Sequence, residues 1–415
     1  MFALLKMLAA LLLLVGLLRA KVKLGRAMMI AWLALAVLLR ITPGQFVDAV
    51  VHEWRAQPLS QTTGYLFVTL TALVMLVNVL AAAMQQTGVS QRLVPAMQGL
   101  FRSRRVALAS IPLLMGMLPT PGGIMLSAPM VRDLGDALGV GRARQAAINF
   151  FFRHQWEPIW PLFPAVLLIA GLVGVPGRTV VAHNLPLWAA GITGGVVGLL
   201  VGGLPPRGPR GSTGDRHLGH HLLDFGHAFW PIVLTAAIYL VFRLPPAVGI
   251  LAAVVVFLGL HRVSRGGWAR AFRAGWEPDF ALLILGALLF KLSLESAGAI
   301  AEVAAFMEKV GLRPAVFIFL LPMFVAALTG VTTATVAVTF PFLLPYIGTG
   351  DAATMGLETL AFSGLLCGLY ITPVHLCLAL SASYFDAPLG RIVLKILPSV
   401  CFIAAAGVAM ALLFG

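Results

Sequence analysis

Pro119-Thr120-Pro121-Gly122-Gly123 and Thr329-Gly330-Val331-Thr332-Thr333 each fall in the middle of an apolar stretch, residues 106–131 and 314–346. Proline and glycine release backbone polar groups from the helical ladder. In hydrocarbon those groups have no water to turn to, so such breaks persist only inside protein or against an aqueous cavity. Two breaks in matching places of two halves point to a substrate site near the bilayer midplane.

The surrounding composition makes hydrocarbon the relevant solvent. Hydrophobic residues make up 60% of the 415 and charged residues 11%, and mean hydropathy is +0.96. A soluble domain carries about twice that charge fraction, so the sequence predicts an all-α polytopic membrane protein. The formal charge of +14 does not indicate nucleic acid, because the basic residues sit in short loops between apolar runs, as cytoplasmic loops do. Cys367, Cys377 and Cys401 lie in apolar spans without metal or redox spacing and read as small core residues. The run from Phe2 to Leu18 has no small-residue cleavage site and is followed by Arg19, Lys21, Lys23 and Arg26. It reads as a retained first helix whose far end is cytoplasmic.

Apolar runs of roughly 16–22 residues, enough to cross a hydrocarbon core, fall near 2–18, 27–42, 62–84, 157–175, 184–203, 227–243, 246–262, 279–297, 359–384 and 396–414. They predict about ten spanning helices. A Gly/Pro/His/Arg-rich stretch, 204–226, reads as a cytoplasmic linker between a first half, 1–203, and a second, 227–415. Arginines flank the 106–131 segment on both sides, whereas Asp351 and Glu358 follow the 314–346 segment. Each segment therefore enters and leaves on one face, as a re-entrant hairpin. This places the basic loops 19–26, 92–105, 132–144, 207–216, 262–273 and 391–395 on one side. Five helices and a hairpin per half give the halves opposite orientation, an inverted repeat. Gly88 and Gly298, and Pro112 and Pro322, echo it at a spacing of 210.

A half-helix returning from a hairpin tip aims its unpaired N–H groups at the midplane, where they attract anions. Gly122, Gly123 and Ser127 open such a half-helix in the first hairpin, and Thr332, Thr333 and Thr335 in the second. The alternative is a kink in a packed helix with hydroxyls bonded back to their own backbone. Beyond the first hairpin, Pro158, Pro161 and Pro164 predict an unwound stretch that leaves Arg153 and Glu157 near the membrane interior; an interfacial pair anchored by tryptophans is the competing reading. In the second half, Thr372-Pro373-Val374-His375 occupies the equivalent place. His375 suits proton carriage, or serves as a hydrogen-bonded core residue. Lys291 and Glu295 should pair one turn apart. His217, His220, His221 and His227 read as a solvated loop. Asn78 reads as an interhelical hydrogen bonder, and the ladder from Gly191 to Gly202 as a close helix contact, within the chain or across a dimer.

Met117 to Gly123, Leu126-Ser127-Ala128-Pro129 and the run from Asn149 to Pro164 resemble an uncharacterised family of bacterial integral-membrane proteins grouped with the ion transporter superfamily. The resemblance implies an elevator-type carrier with a dimeric scaffold. It implies a site lined by Thr120, Gly122, Gly123, Thr329, Thr332 and Thr333, with Glu157 and Thr372 from the unwound helices. The first tip lacks the Ser-Asn-Thr motif of sodium-coupled dicarboxylate relatives, so proton coupling through Glu157 or His375 gains ground over sodium.

The leading expectation is a secondary active transporter for a small organic or inorganic anion, coupled to protons or sodium, with no catalytic residues, no cofactor and no metal. A passive channel on the same fold is a second reading. A membrane-embedded metallohydrolase using His154 and Glu157 is a third, weakened by the adjacent Arg153 and by the lack of an evident third ligand.

Overall fold

A computed structural model describes residues 2–89, 103–117, 124–201, 218–242, 244–299 and 314–415, together with residues 302, 305, 306 and 309. Eighteen α-helices and no strands occur among the described residues. The first half holds α1 (Phe2–Arg19), α2 (Leu24–Leu39), α3 (Pro43–Ala56), α4 (Thr63–Gln86), α5 (Arg104–Gly116), α6 (Ile124–Ala137), α7 (Arg142–Arg153), α8 (Pro164–Val173) and α9 (Gly177–Gly195), the last continuing as a π-helical turn over Val196–Val201. The second half holds α10 (Leu218–Phe242), α11 (Pro246–Leu260), α12 (Arg265–Gly275), α13 (Pro278–Ser296), α14 (Pro314–Thr329), α15 (Thr332–Ile347), α16 (Met355–Ile371), α17 (Leu376–Phe385) and α18 (Leu389–Phe414).

Side-chain chemistry sets many of the boundaries. Thr42 and Gln45 form a reciprocal capping box that starts α3. Thr62 caps α4, and the carboxylate of Glu53 accepts from both the Thr63 amide and its hydroxyl at 3.1 and 3.0 Å. Pro164, Pro246 and Pro278 each stand at a first helical turn, where the missing N–H costs nothing.

The chain is a multi-pass membrane protein. Among the described residues, four helical segments are long and apolar enough to cross a bilayer: Thr63–Gln86, Gly177–Val201, Met355–Phe385 and Leu389–Phe414. A fifth arises if α2 and α3, bent by 109°, count as one broken span. Other apolar helices, including α8, α11, α14 and α15, run only 10–17 residues. Apolar side chains also cover the outside, with Leu412 81% exposed and Val37 and Leu12 close behind, as expected of a surface solvated by lipid.

The helices sort into two packed groups. In one, α2 lies on α1 and α13, and α4 lies on α11, α12 and α13. In the other, α5 and α6 pack together and on α7, α14 and α15 pack together and on α16, and α18 packs on α7, α9 and α16. Here α6 also packs on α17, and α15 on α8. Contacts of α4 with α8 and of α13 with α15 join the groups. Glycine permits the tightest crossings: a Cβ on Gly364 or Gly368 would lie 2.1 or 2.0 Å from the Phe319 or Met323 carbonyl oxygen of α14. In the glycine ladder of α9, a Cβ on Gly194 would lie 2.9 Å from the Ser399 oxygen of α18, so these residues make close contacts within the chain.

Several local expectations change. Within the stretch 204–226 expected as a linker, residues 218–226 are helical, in α10, which also carries an exposed His227; residues 204–217 lie outside the described residues. The basic segment 262–273 is largely helical, as α12, and Arg142 and Arg144 belong to the first turn of α7. Glu358 is not a loop charge: it is fully buried in the first turn of α16 and accepts a hydrogen bond from Asn184 of α9 at 3.2 Å. Of the cysteines only Cys367 is buried; Cys401 is exposed. Lys291 Nζ lies 3.7 Å from Glu295.

Candidate functional site

Three irregular stretches converge where the helix groups meet. The first follows α7, where prolines 158, 161 and 164 prevent continuation and residues 154–163 run as successive turns before α8. The second is the two-residue break between α14 and α15. Gly330 there has φ +65°, and a Cβ on it would lie 2.8–2.9 Å from backbone atoms of Val374 and His375. Both the left-handed conformation and the close approach require glycine. The third is Thr372–His375 between α16 and α17, where Pro373 interrupts the ladder and the Thr372 hydroxyl donates to the Ala327 carbonyl at 2.5 Å.

These stretches line a cavity of about 350 Å³, completed by Val74, Val77 and Asn78 of α4 and Phe280 of α13. Asn78 thus faces this space. Among the expected site residues, Arg153, Glu157, Thr332, Thr333 and His375 line the cavity, and Gly116 does so at the end of α5. Thr120, Gly122 and Gly123 lie outside the described residues.

The remaining hydroxyls are committed to partners within the protein, side chain or backbone. Ser127 is fully buried and donates to Asn149 Oδ1 at 2.6 Å. Thr329 and Thr335 are within 3.0 Å of each other, and Thr335 bonds back to the Val331 carbonyl. Thr372 is committed to Ala327. These four do not line the cavity.

Three carboxylate or guanidinium side chains line the cavity, of which Glu277 is exposed and Glu157 and Arg153 are buried. Glu157, 3% exposed, accepts a hydrogen bond from the Thr332 hydroxyl at the N-terminus of α15. Arg153, 5% exposed, donates to the Met115 carbonyl at 2.9 Å. Trp156 donates to Leu113 at 2.8 Å, so the unwound segment after α7 is tied to α5 at two points. The first-turn amides of α15 and the Thr333 hydroxyl supply donors at the cavity wall, the Thr332 hydroxyl being given to Glu157. They share the cavity with the Arg153 side chain and with the carboxylates of Glu157 and Glu277.

Two further residues of the cavity were not singled out as site residues by sequence, His154 only as half of a weak metal pair. His154 Nε2 lies 3.0 Å from His375 Nε2, and Cys377 sits beside both. In the third reading His154 would pair with Glu157 on a metal, but the Glu157 carboxylate is bonded to Thr332. Nothing local in the sequence marks the histidine pair, whose members are 221 residues apart.

The chain belongs to the family described as "protein of unknown function (DUF401)", whose profile matches residues 3–414. No curated protein matches the sequence. Among solved structures, the Alcanivorax borkumensis YdaH transporter is similar with a TM-score of 0.60 at 14% identity, over 91% of this chain and 89% of that one. Neisseria gonorrhoeae MtrF, from a class of antimetabolite efflux pumps, is similar with a TM-score of 0.53 at 13% identity, over 88% and 84%. At these identities the likeness is one of fold.

Proposed function

We propose that this DUF401 member is a secondary active transporter that carries a small organic or inorganic anion across the bacterial inner membrane by an elevator motion. Coupling is to protons or sodium, with Glu157 as the coupling group, and no enzymatic step is involved. The observation that carries the reading is the cavity itself. It lies between two helix groups and is walled by irregular backbone on one side, with the Arg153 guanidinium and the N-terminus of α15 facing it. The likeness in fold to a transporter and to an efflux pump agrees with it, as does the resemblance to the ion transporter superfamily.

In this reading α1–α9 and α10–α18 are inverted repeats. Gly88 and Gly298 both close a helix with positive φ, +72° and +62°. The preceding hydrogen bonds repeat at the same spacing: Thr87 to Ala83 and Gly88 to Gln85 in one half, Ala297 to Ser293 and Gly298 to Glu295 in the other. Pro112 and Pro322 each sit inside the first arm of a helix pair. The packing of α6 on α7 and α17 is mirrored by that of α15 on α16 and α8. The arms α5, α6, α14 and α15 have 13, 14, 16 and 16 residues, against roughly 20 needed to cross, which suits re-entrant hairpins. Together with the shorter apolar helices, about ten spans result.

The group holding the hairpins, α7–α9 and α16–α18 is the moving part. The other group is the scaffold, expected to form a homodimer. Uptake into proteoliposomes under an imposed proton or sodium gradient tests the function. Gradient-dependent flux of an anion supports it; flux that is insensitive to gradients, or unitary currents in planar bilayers, supports the channel reading instead.

A further inference from the structure

The rings of His154, at the end of α7, and His375, at the N-cap of α17, meet nearly edge to face, with centroids 4.8 Å apart and an interplanar angle of 78°. Each Nδ1 lies 2.7 Å from a backbone carbonyl oxygen, that of Phe150 for His154 and that of Gly330 for His375. A carbonyl only accepts, so each Nδ1 carries the proton and donates it. In a neutral ring the other nitrogen is then a bare acceptor. The two Nε2 lone pairs thus face each other at 3.0 Å between side chains that are 6% and 8% exposed. Two buried acceptors without a donor between them are costly, and a cation at that point removes the conflict.

Cys377 completes a donor set. Its Sγ and the two Nε2 atoms all lie within 4.8 Å of one another. Two imidazoles and a thiolate are the ligands that zinc and its neighbours favour. Metal-binding histidines commonly donate their second ring N–H to a carbonyl, which fixes tautomer and orientation, and both rings here already do so. An ion at about 2.1 Å from each nitrogen needs the pair to open by only a few tenths of an ångström. Arg153 lines the same cavity, but so does Glu157, and a metal-bound Cys377 would be deprotonated, so two anionic groups would offset the guanidinium.

We infer that His154, His375 and Cys377 form a site for one divalent d-block cation of zinc-like preference, with the cavity supplying the fourth ligand. The site goes beyond the transport reading and is read out by binding alone. It joins two irregular stretches from opposite halves of the chain.

The experiment uses the full chain, purified in detergent, with His217, His220, His221 and His227 replaced by Asn to remove adventitious ligands outside the cavity. Titration with Co²⁺ and Zn²⁺ should saturate at one ion per chain, and Co²⁺ should give a thiolate charge-transfer band in the near ultraviolet. Cys377→Ser should abolish that band, and both it and His375→Gln should weaken binding at least about tenfold. Gel filtration and circular dichroism verify that each variant is folded. Three outcomes overturn the inference: no stoichiometric binding to the folded protein; binding unchanged in both variants; or ¹⁵N-histidine spectra showing a proton shared between the rings that persists in excess Zn²⁺.

Discussion

The hydroxyl of Thr332 donates to the carboxylate of Glu157 across 175 residues of chain, so the second helix pair is fastened to the unwound stretch after α7 by a buried acid that lines the cavity with Arg153. In the proposed transport cycle, a substrate that moves past the tip of α15 works against that bond. The coupling role proposed for Glu157 therefore has a structural consequence as well as an electrostatic one.

Glu157→Gln keeps an oxygen for Thr332 to donate to and removes only the charge. The variant is expected to fold and to unfold thermally within a few degrees of the parent protein, since one neutral hydrogen bond replaces a charge-assisted one, a difference of about 1 kcal/mol. Gradient-driven uptake in proteoliposomes should fall to background or lose its dependence on the driving ion. Unchanged uptake with unchanged pH dependence would remove Glu157 from the mechanism.

Gly330→Ala places a methyl group 2.8 Å from the Val374 carbonyl carbon and 2.9 Å from the His375 amide nitrogen, at a φ of +65°. The left-handed conformation alone costs about 1–2 kcal/mol, and the overlap pushes the 372–375 stretch away from α14. The expected result is a lower melting temperature and uptake slowed about tenfold or more, that factor corresponding to about 1.4 kcal/mol on the rate-limiting barrier. A variant with parental uptake would show that the break need not be this tight.

What could be read from sequence follows from which residues carry their meaning locally. Pro158, Pro161 and Pro164 announce an unwound stretch wherever they stand, and Gly330 marks a backbone that no other residue adopts easily. Both features sit at the cavity. The helices α3 and α12 are short and charged, and without long apolar runs they read as loops. Ser127 and Thr372 present hydroxyls that a sequence assigns to a ligand as readily as to a backbone carbonyl; their partners, Asn149 and Ala327, emerge only from packing. His154, His375 and Cys377 are the extreme case, because neither spacing nor periodicity relates α7 to α17.

Glu358 and Asn184 make a testable pair away from the cavity. Asn184 Nδ2 donates to Glu358 Oε1, yet Asn184 Oδ1 and Glu358 Oε2 have no hydrogen-bond partner among the described residues. Glu358→Gln replaces one stranded acceptor with a donor that Asn184 Oδ1 can accept from, and should leave thermal stability unchanged or raise it. Glu358→Leu strands the Asn184 amide as well and should cost about 1–3 kcal/mol. Melting curves in detergent distinguish the two, and a large loss with Gln would show that the carboxylate itself is needed.

The re-entrant reading of the two helix pairs is decided by which face of the membrane their ends occupy. If α5 and α6 enter and return on one side, single cysteines placed at Arg105 and Arg132, in a background with Cys367, Cys377 and Cys401 replaced, should react with a membrane-impermeant maleimide only from the cytoplasmic face. Cysteines at Arg313 and Gly350, bracketing α14 and α15, should react only from the opposite face. The arms are too short to cross one by one, but α5 and α6 end to end could cross as a single broken span, and that arrangement would label Arg105 and Arg132 from different sides. In that event the basic segments after the first pair would be exported, the halves would no longer be inverted copies, and the cavity between α4, α13 and the three breaks would need another explanation.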